Sequence, residues 1–367
     1  MFYHFIYPLR EYFSALNIFQ YITFRAAMAG MTSLLISFFI GPWIIRILKE
    51  NQVGEIIRSD GPESHFTKKG TPTMGGLIIL SSIIIPLLLW ANLKNTYVQI
   101  ILFVTLWMSG VGFIDDYLKV VKRYEKGLIA KYKLAGQIIL GLLLGTYLYI
   151  SPEFSEVDTL LSLPFFKNTY LDIGILYIPL AVLVITGTSN AVNLTDGLDG
   201  LAAGLMGIVA MSFAAISYVS GRVDFSEYLN IIYLKGAGEL TVYCLAFAFA
   251  MLGFLWYNSK PAQVFMGDTG SLGMGGAIGG LAILLKKEIL LFFLGGIFVA
   301  EAVSVLIQIG YFRYTRKKTG TGMRVFKMAP LHHHYEVQGM PESKIVIRFW
   351  IIGILLALLS LSTFKIL

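Results

Sequence analysis

Charged residues are scarce in this chain, and their scarcity excludes an ordinary soluble domain. Asp, Glu, Lys and Arg make up 14% of the residues and hydrophobic residues 56%, whereas an average soluble protein has about 25% charged residues. Cysteine is nearly absent as well. Cys244 is the single one, so an intrachain disulfide is excluded. The two related halves that many transporter folds contain are not apparent either.

Long apolar runs are what the chain has instead. Ten of them approach the roughly 20 residues that a helix needs to cross a bilayer. They predict spans at about 22–47, 73–92, 97–117, 132–150, 171–190, 198–219, 238–257, 270–285, 289–312 and 345–365. Their residues do not alternate between polar and apolar as in membrane strands. The sequence therefore predicts an all-α integral membrane protein of about ten transmembrane helices, with one domain over residues 1–367.

The distribution of Lys and Arg predicts the orientation of these spans. One side, which includes the long connections 48–72, 118–131 and 313–344, carries 19 of them, whereas the side with both termini carries 9. By the positive-inside rule the richer side is cytoplasmic, so both termini are expected outside. The first twenty residues lack the pattern of a cleavable signal peptide and predict an interfacial helix.

Acidic residues at the ends of the apolar runs are the main candidates for chemistry. Five aspartates and one asparagine map to the predicted cytoplasmic side: Asp115 and Asp116 at the end of the third run, Asn193, Asp196 and Asp199 from the end of the fifth to the start of the sixth, and Asp268 before the eighth. Acids beside membrane-spanning sequence are costly and by default indicate a functional site. The alternatives are boundary residues reaching water and acids that cap a helix. If helical, the middle group would fall along one helix face.

Two further segments have both a functional and a structural interpretation. Seven glycines between residues 267 and 280 could admit a phosphate to the backbone or allow close helix packing. Lys68 and Lys69 could contact phosphates or only set the topology. His332, His333 and His334 lack the i, i+4 spacing of a helical zinc site and favour phosphate contact, although one or two could be structural. Glu301, inside the ninth run, is expected to pair with a neighbour.

Five strings appear in an order that resembles one family over nearly the whole chain. They are "KKGTPTMGG", "DDYLK", "NLTDGLDGLA", "FMGDTGS" and "APLHHHYE". Together they resemble the phospho-N-acetylmuramoyl-pentapeptide-transferases, which are bacterial polyprenyl-phosphate N-acetylhexosamine-1-phosphate transferases. The histidine string separates this family from relatives that attach GlcNAc-1-phosphate.

The resemblance implies a reaction at the cytoplasmic face of the bacterial inner membrane. Phospho-MurNAc-pentapeptide would pass from UDP-MurNAc-pentapeptide to undecaprenyl phosphate with Mg²⁺, giving lipid I and UMP. The expected partners are these substrates, membrane lipid and a second copy in a homodimer, without nucleic acid. Two mechanisms stay open, direct in-line attack, which we favour, and a covalent phospho-sugar intermediate on a carboxylate such as Asp268.

The same resemblance implies roles for individual residues. Asp268 would bind Mg²⁺, Asp115 would deprotonate or position the lipid phosphate with support from Asp116, and Asn193 and Asp196 would orient the pyrophosphate. The implied uridine pocket consists of Lys68, Thr73, Gly197, Leu198, Asp199, Asn258 and Phe265. Phosphate or sugar contacts would come from Lys119, Lys131, His332, His333 and His334. The alternative functions are a GlcNAc-1-phosphate transferase and a lipid or ion transporter.

Overall fold

The computed structural model describes residues 1–51, 70–124, 127–154, 157–166 and 169–364. Its helices are α1 (Phe2–Phe5), α2 (Ile22–Glu50), α3 (Gly76–Trp90), α4 (Thr96–Val120), α5 (Ala130–Ile150), α6 (Tyr177–Thr195), α7 (Leu201–Ser220), α8 (Val223–Leu229), α9 (Leu240–Asn258), α10 (Gly267–Leu284), α11 (Glu288–Leu294), α12 (Gly296–Thr319), α13 (Leu331–Val337) and α14 (Glu342–Ser362). A short antiparallel hairpin, β1 (Leu160–Ser162) and β2 (Tyr170–Asp172), pairs Leu161 with Leu171.

The predicted membrane character is confirmed. Among the described residues, eight helical segments are long and apolar enough to cross a bilayer: α2, α4, α5, Gly174–Thr195, α7, Ala237–Asn258, α12 and α14. The apolar α3 is shorter, at 15 residues, and α10 has 18 residues. The chain is therefore a multi-pass, mostly helical membrane protein, and the number of ten crossings stays a prediction.

The glycine-rich α10 lies at the centre of the bundle. It packs against α3, α4 and α6, and every residue from 269 to 284 is buried. Small residues allow transmembrane helices to approach closely. A Cβ at Gly273 would lie 2.1 Å from Oγ of Ser109 on α4. A Cβ at Gly279 would lie 2.5 Å from Oγ1 of Thr188 on α6. The later glycines are thus packing residues.

Three details of the sequence prediction are wrong. The α6 helix ends at Thr195, because Asp196 leaves the helical conformation with a ψ of +57°, and α7 begins at Leu201 after Gly200, which takes the left-handed φ of +80°. Asn193, Asp196 and Asp199 therefore do not share one helix face. The ninth apolar run is divided at Gly295 into α11 and α12, and the first twenty residues form three short helical pieces instead of one helix.

Gly112 on α4 is required for the approach to α10, and we expect Gly112→Ala to destabilise the protein. A Cβ at this position would lie 2.1 Å from the carbonyl oxygen of Asp268, which is backbone and cannot move aside. Overpacking of this kind costs about 1–3 kcal/mol. Thermal unfolding in detergent measures the loss.

Gly110→Ala is the matched control, because nothing lies within 4 Å of a Cβ there. In a helix interior Ala is favoured over Gly by about 0.5–1 kcal/mol, so this variant should be unchanged or slightly more stable. Equal stability of the two variants would contradict the packing of α4 on α10.

Candidate active site

Three carboxylates from two helices meet at one end of the bundle. Asp115 and Asp116 lie near the end of α4, and Asp268 lies in the first turn of α10. One oxygen from each lies within 4.8 Å of the others. Asp115 and Asp116 are buried, whereas Asp268 is half-buried. Asp268 is therefore the acid that a ligand can reach.

Two lysines neutralise this cluster in part. Lys119, one turn after Asp115 on α4, forms an ion pair with Asp115 and places Nζ 3.3 Å from Oδ2 of Asp268. Lys133, in the first turn of α5, places Nζ 2.9 Å from Oδ2 of Asp115 and 2.5 Å from Oδ2 of Asp268. Three carboxylates and two ammonium groups leave a formal charge of minus one. Such a group attracts a divalent cation, and the cation then favours bound phosphates.

Asp116 caps the N-terminus of α10 from the neighbouring helix. Its Oδ1 accepts a hydrogen bond from the backbone N–H of Asp268 at 3.0 Å. Its Oδ2 accepts from the N–H and the hydroxyl of Thr269 at 2.8 and 2.6 Å. A negative charge is stabilised at a helix N-terminus. Asp116 therefore fixes where α10 begins, and with it the position of Asp268.

Asp115 holds the connection between α4 and α5 as well as the two lysines. Its Oδ1 accepts a hydrogen bond from the N–H of Leu128 at 2.7 Å, and its side chain is 0% exposed. Gly127 is necessary here, since it has a φ of +54° and a Cβ would lie 2.6 Å from that oxygen. Asp115 thus positions both lysines and the connection between α4 and α5.

Asn193 belongs to the cluster, whereas Asp196 lies beyond the end of its helix. The amide Nδ2 of Asn193 donates to Oδ1 of Asp268 at 2.9 Å and lies 2.8 Å from Oγ of Ser271. Asp196 is the half-buried residue that follows α6. Asn193 therefore contacts the acid that is predicted to bind the metal. The orienting role of Asp196 stays a prediction.

Segments of the predicted uridine pocket are joined by backbone hydrogen bonds. The N–H of Phe265 donates to the carbonyl of Pro72 at 2.8 Å, which places the buried Thr73 near the start of α10. Oδ1 of Asn258 accepts from the N–H of Gly200 at 3.0 Å, and Oδ2 of Asp199 accepts from the N–H of Ala262 at 3.2 Å. Of the remaining members, Leu198 is buried, Gly197 is half-buried and Lys68 lies outside the described residues.

The three histidines have different surroundings. His332 is buried, with Nδ1 3.3 Å from Oε1 of Glu301, and a Cβ at Gly197 would lie 2.3 Å from its Nε2. The expected partner of Glu301 is therefore His332. Nδ1 of His333 lies 3.2 Å from Oε2 of Glu336. His334 accepts from the N–H of Lys327 at 3.1 Å.

Lys133 is the site residue that sequence reasoning missed. Lys131, which the resemblance implies as a phosphate or sugar contact, is exposed, and its ammonium lies 4.9 Å from the ring centroid of Tyr132. A usable signal was the buried Gln137 four residues after Lys133, because i and i+4 share a helix face. Oε1 of Gln137 accepts from Nδ2 of Asn190 at 2.9 Å, so that face points into the bundle.

The oxygen donors of the three carboxylates fit a hard divalent cation. Mg²⁺ prefers oxygen ligands and is usually bound by one or two carboxylates together with substrate phosphates. The cluster contains no sulfur or imidazole among its three members. The donor set is therefore appropriate for Mg²⁺.

Comparisons with known proteins agree with this arrangement. The model of glycosyl transferase family 4 matches residues 98–286, and the phospho-N-acetylmuramoyl-pentapeptide-transferase signature 1 matches residues 68–80. The phospho-N-acetylmuramoyl-pentapeptide-transferases of Thermodesulfovibrio yellowstonii and Desulforapulum autotrophicum are 52% and 51% identical to this chain. One from Chloroherpeton thalassium is 49% identical. Each alignment covers 100% of this chain and 99–100% of the relative.

The chain belongs to the phospho-N-acetylmuramoyl-pentapeptide-transferase family. It is therefore a membrane-embedded transferase of peptidoglycan synthesis. The signature at 68–80 includes Gly76, and a Cβ there would lie 2.2 Å from the backbone nitrogen of Gly270. The signature thus includes the contact between the start of α3 and the start of α10.

For this transferase we expect the three histidines to differ in importance. The buried ring of His332 packs on Gly197 just after the end of α6. His332→Ala should lower the transferase rate by about 100-fold, because loss of the ring would displace the segment after α6 from the site. His334→Ala should change it by about twofold or less, since the contacts of His334 are to its own helix and the preceding segment. Release of UMP from the nucleotide substrate measures both. A large loss in His334→Ala with none in His332→Ala would contradict this assignment.

Proposed function

We propose that the enzyme transfers phospho-MurNAc-pentapeptide from UDP-MurNAc-pentapeptide to undecaprenyl phosphate, which gives lipid I and UMP. The observation that carries the proposal is the pair Lys119 and Lys133 held between Asp115 and Asp268, beside the joined segments that contain Thr73 and Phe265. Cations fixed next to a metal-type acid cluster suit phosphoryl transfer, in which positioning and charge neutralisation do most of the catalysis.

The proposed location is the cytoplasmic face of the bacterial inner membrane, with both termini outside. The acid cluster lies at the ends of α4 and α6 and the start of α10, and the connection that follows α4 is rich in Lys and Arg. A water-soluble nucleotide-sugar and a membrane-embedded lipid phosphate can meet at such a boundary.

In the proposed reaction a phosphate oxygen of undecaprenyl phosphate attacks the phosphorus bonded to the sugar. A new P–O bond forms, the P–O bond to UMP breaks, and UMP leaves with the electron pair. Phosphate monoesters have a second pKa of about 6, so the attacking group is largely ionised at pH 7 without a general base. Asp115 then serves to position Lys119 and Lys133, which neutralise the phosphates.

Asp268 is the proposed principal ligand of Mg²⁺, with oxygens of Asp115 and Asp116 beside it. It is the most accessible of the three acids, whereas both oxygens of Asp116 accept hydrogen bonds from α10. When bound, Mg²⁺ supplies neutralisation of the donor pyrophosphate. Asn193 holds Oδ1 of Asp268 and so fixes the orientation of this carboxylate.

Direct attack is favoured over a covalent intermediate on Asp268. Oδ1 of that residue accepts from Asn193 at 2.9 Å, and Oδ2 lies 2.5 Å from Nζ of Lys133. A carboxylate whose oxygens are both engaged is a weaker nucleophile. Trapping of a phospho-enzyme when the lipid acceptor is omitted would contradict direct attack.

The nucleotide is proposed to bind across the segments that follow α6 and precede α10. Phe265 would stack on uracil. Asp199 and Asn258 would fix the surrounding backbone through their hydrogen bonds to backbone groups of the same segments. The remaining proposed contacts come from Lys68, Thr73, Gly197, Leu198, Asp196, His332 and His333, whereas Lys131 and His334 have no proposed contact. A homodimer is the proposed oligomeric state.

The test is release of UMP by the purified protein with undecaprenyl phosphate and Mg²⁺, comparing UDP-MurNAc-pentapeptide with UDP-GlcNAc. The proposal expects release from the muramyl donor alone and its loss on addition of EDTA. Release from UDP-GlcNAc alone would assign the enzyme to GlcNAc-1-phosphate transfer. No release from either donor by a folded protein would contradict the proposal and favour a transporter.

A further inference from the structure

A cavity lies at the end of the bundle opposite the carboxylate cluster, where α11 begins. Its volume is about 50 Å³. Residues from the β1–β2 hairpin, the end of α8, the start of α11 and the segment after α14 line it. Asp268 lies in the first turn of α10 and Lys287 follows its last turn. The 18-residue helix thus separates the two sites by about 27 Å, at 1.5 Å per residue.

Lys287 is the unusual wall residue of this cavity, which we call the α11 pocket. It is 3% exposed. Its ammonium lies 5.8 Å from the ring centroid of Phe364, which also lines the pocket. Within the described part of the chain this ammonium makes no hydrogen bond or ion pair, and the carboxylate that acts on it electrostatically is that of the adjacent Glu288.

The other buried charges at this end of the bundle all have partners. Arg25 binds Glu239 through two contacts of 2.8 and 2.5 Å. Lys286 donates to the carbonyl of Asp158 at 2.7 Å. Glu288 accepts a hydrogen bond from the hydroxyl of Tyr177 and interacts electrostatically with both Lys286 and Lys287. Two lysines and one carboxylate therefore leave one positive charge in excess beside the pocket.

An excess positive charge on buried ammonium groups is costly, so it implies a ligand that compensates the charge. Isolation of such a charge from water costs several kcal/mol unless an opposite charge or hydrogen bonds compensate it. Burial lowers the pKa of Lys287 to about 8, so most of the amine still carries its proton at pH 7. An oxyanion in the pocket would supply the missing partner.

The remaining walls indicate a ligand with an anionic head and an apolar remainder. Ser162 and Asn230 offer a hydroxyl and an amide, whereas Phe166, Tyr170 and Phe364 supply aromatic surface. The pocket lies where α14, a helix apolar enough to cross a membrane, ends. A membrane lipid presents its phosphate at such a boundary.

We propose that the α11 pocket binds a phosphate-type oxyanion, carried by the headgroup of a membrane lipid, on the ammonium of Lys287. The site is distinct from the carboxylate cluster and does not depend on the reaction proposed for it. Binding stabilises the fold, because it neutralises the positive charge that Lys286, Lys287 and Glu288 together leave in excess.

The test compares wild type, Lys287→Met and Lys94→Gln in detergent. Lys94 is an exposed lysine at the same end of the bundle, between α3 and α4. Phosphatidylglycerol, phosphatidylcholine and inorganic phosphate are added in turn, and the melting temperature Tm is measured. Transferase rates equal to that of wild type, measured at the carboxylate cluster, establish that both variants are folded.

We expect phosphatidylglycerol to raise the Tm of wild type and Lys94→Gln by about 2–5 °C more than phosphatidylcholine. Lys287→Met should lose this difference. An equal Lys287-dependent rise with inorganic phosphate would support the oxyanion site and overturn the lipid as its source. A preference for phosphatidylglycerol that persists in Lys287→Met, or is absent from wild type, would overturn the proposal.

Discussion

Asp268→Asn is expected to lower the rate of UMP release by at least about 10³-fold. The substitution keeps the shape of the side chain but removes the charge of the most accessible acid in the cluster, which faces Lys119 and Lys133. It also replaces Oδ1 or Oδ2 by a donor, which conflicts with Asn193 or with a lysine. Rate measurements at saturating Mg²⁺ test this expectation.

Asp172→Asn is the control for loss of a carboxylate. Asp172 is exposed at the end of β2, in the hairpin at the opposite end of the bundle. The variant should therefore retain the wild-type rate within about twofold. Retention of more than a tenth of the wild-type rate by Asp268→Asn would show that this acid is dispensable.

Lys133→Met and Lys131→Met are expected to differ greatly although the two residues are two positions apart. Lys133 contacts both Asp115 and Asp268, so its loss should lower the rate by about 100-fold or more. Lys131 is exposed and contacts Tyr132, so its loss should change the rate by about twofold or less. Both variants keep the aliphatic length of the side chain.

The comparison of these two lysines also tests the placement of α5. Lys133→Arg is the conservative variant, and we expect partial activity because Arg keeps the charge but not the point-like geometry. Equal losses in Lys131→Met and Lys133→Met would indicate that both contact substrate. A loss confined to Lys131→Met would contradict the arrangement of the site.

The sequence alone sufficed for the class of fold and the three acids. Apolar length and composition identify membrane helices without tertiary information, and acids beside such helices are conspicuous. The shared side of the membrane predicts that Asp115, Asp116 and Asp268 lie near one another. In the structure one oxygen of each lies within 4.8 Å of the others.

The sequence could not supply the contacts that depend on how helices pack. Lys131 and Lys133 have the same chemistry, and only the rotation of α5 against α4 decides which one meets the acids. Asp116 was expected to support Asp115, and its hydrogen bonds to the first turn of α10 depend on the close approach at Gly112. The end of α6 at Thr195 likewise depends on the backbone conformation of Asp196, which a helical spacing rule does not anticipate.

Binding of Mn²⁺, followed by the electron paramagnetic resonance signal of the free ion, tests the central claim most directly. The claim is that Asp268, with Asp115 and Asp116 beside it, forms the divalent-cation site of the transferase. The account predicts that wild type and Asp172→Asn bind Mn²⁺ alike and that Asp268→Asn binds it at least about tenfold more weakly. Equal binding by all three proteins would contradict the claim.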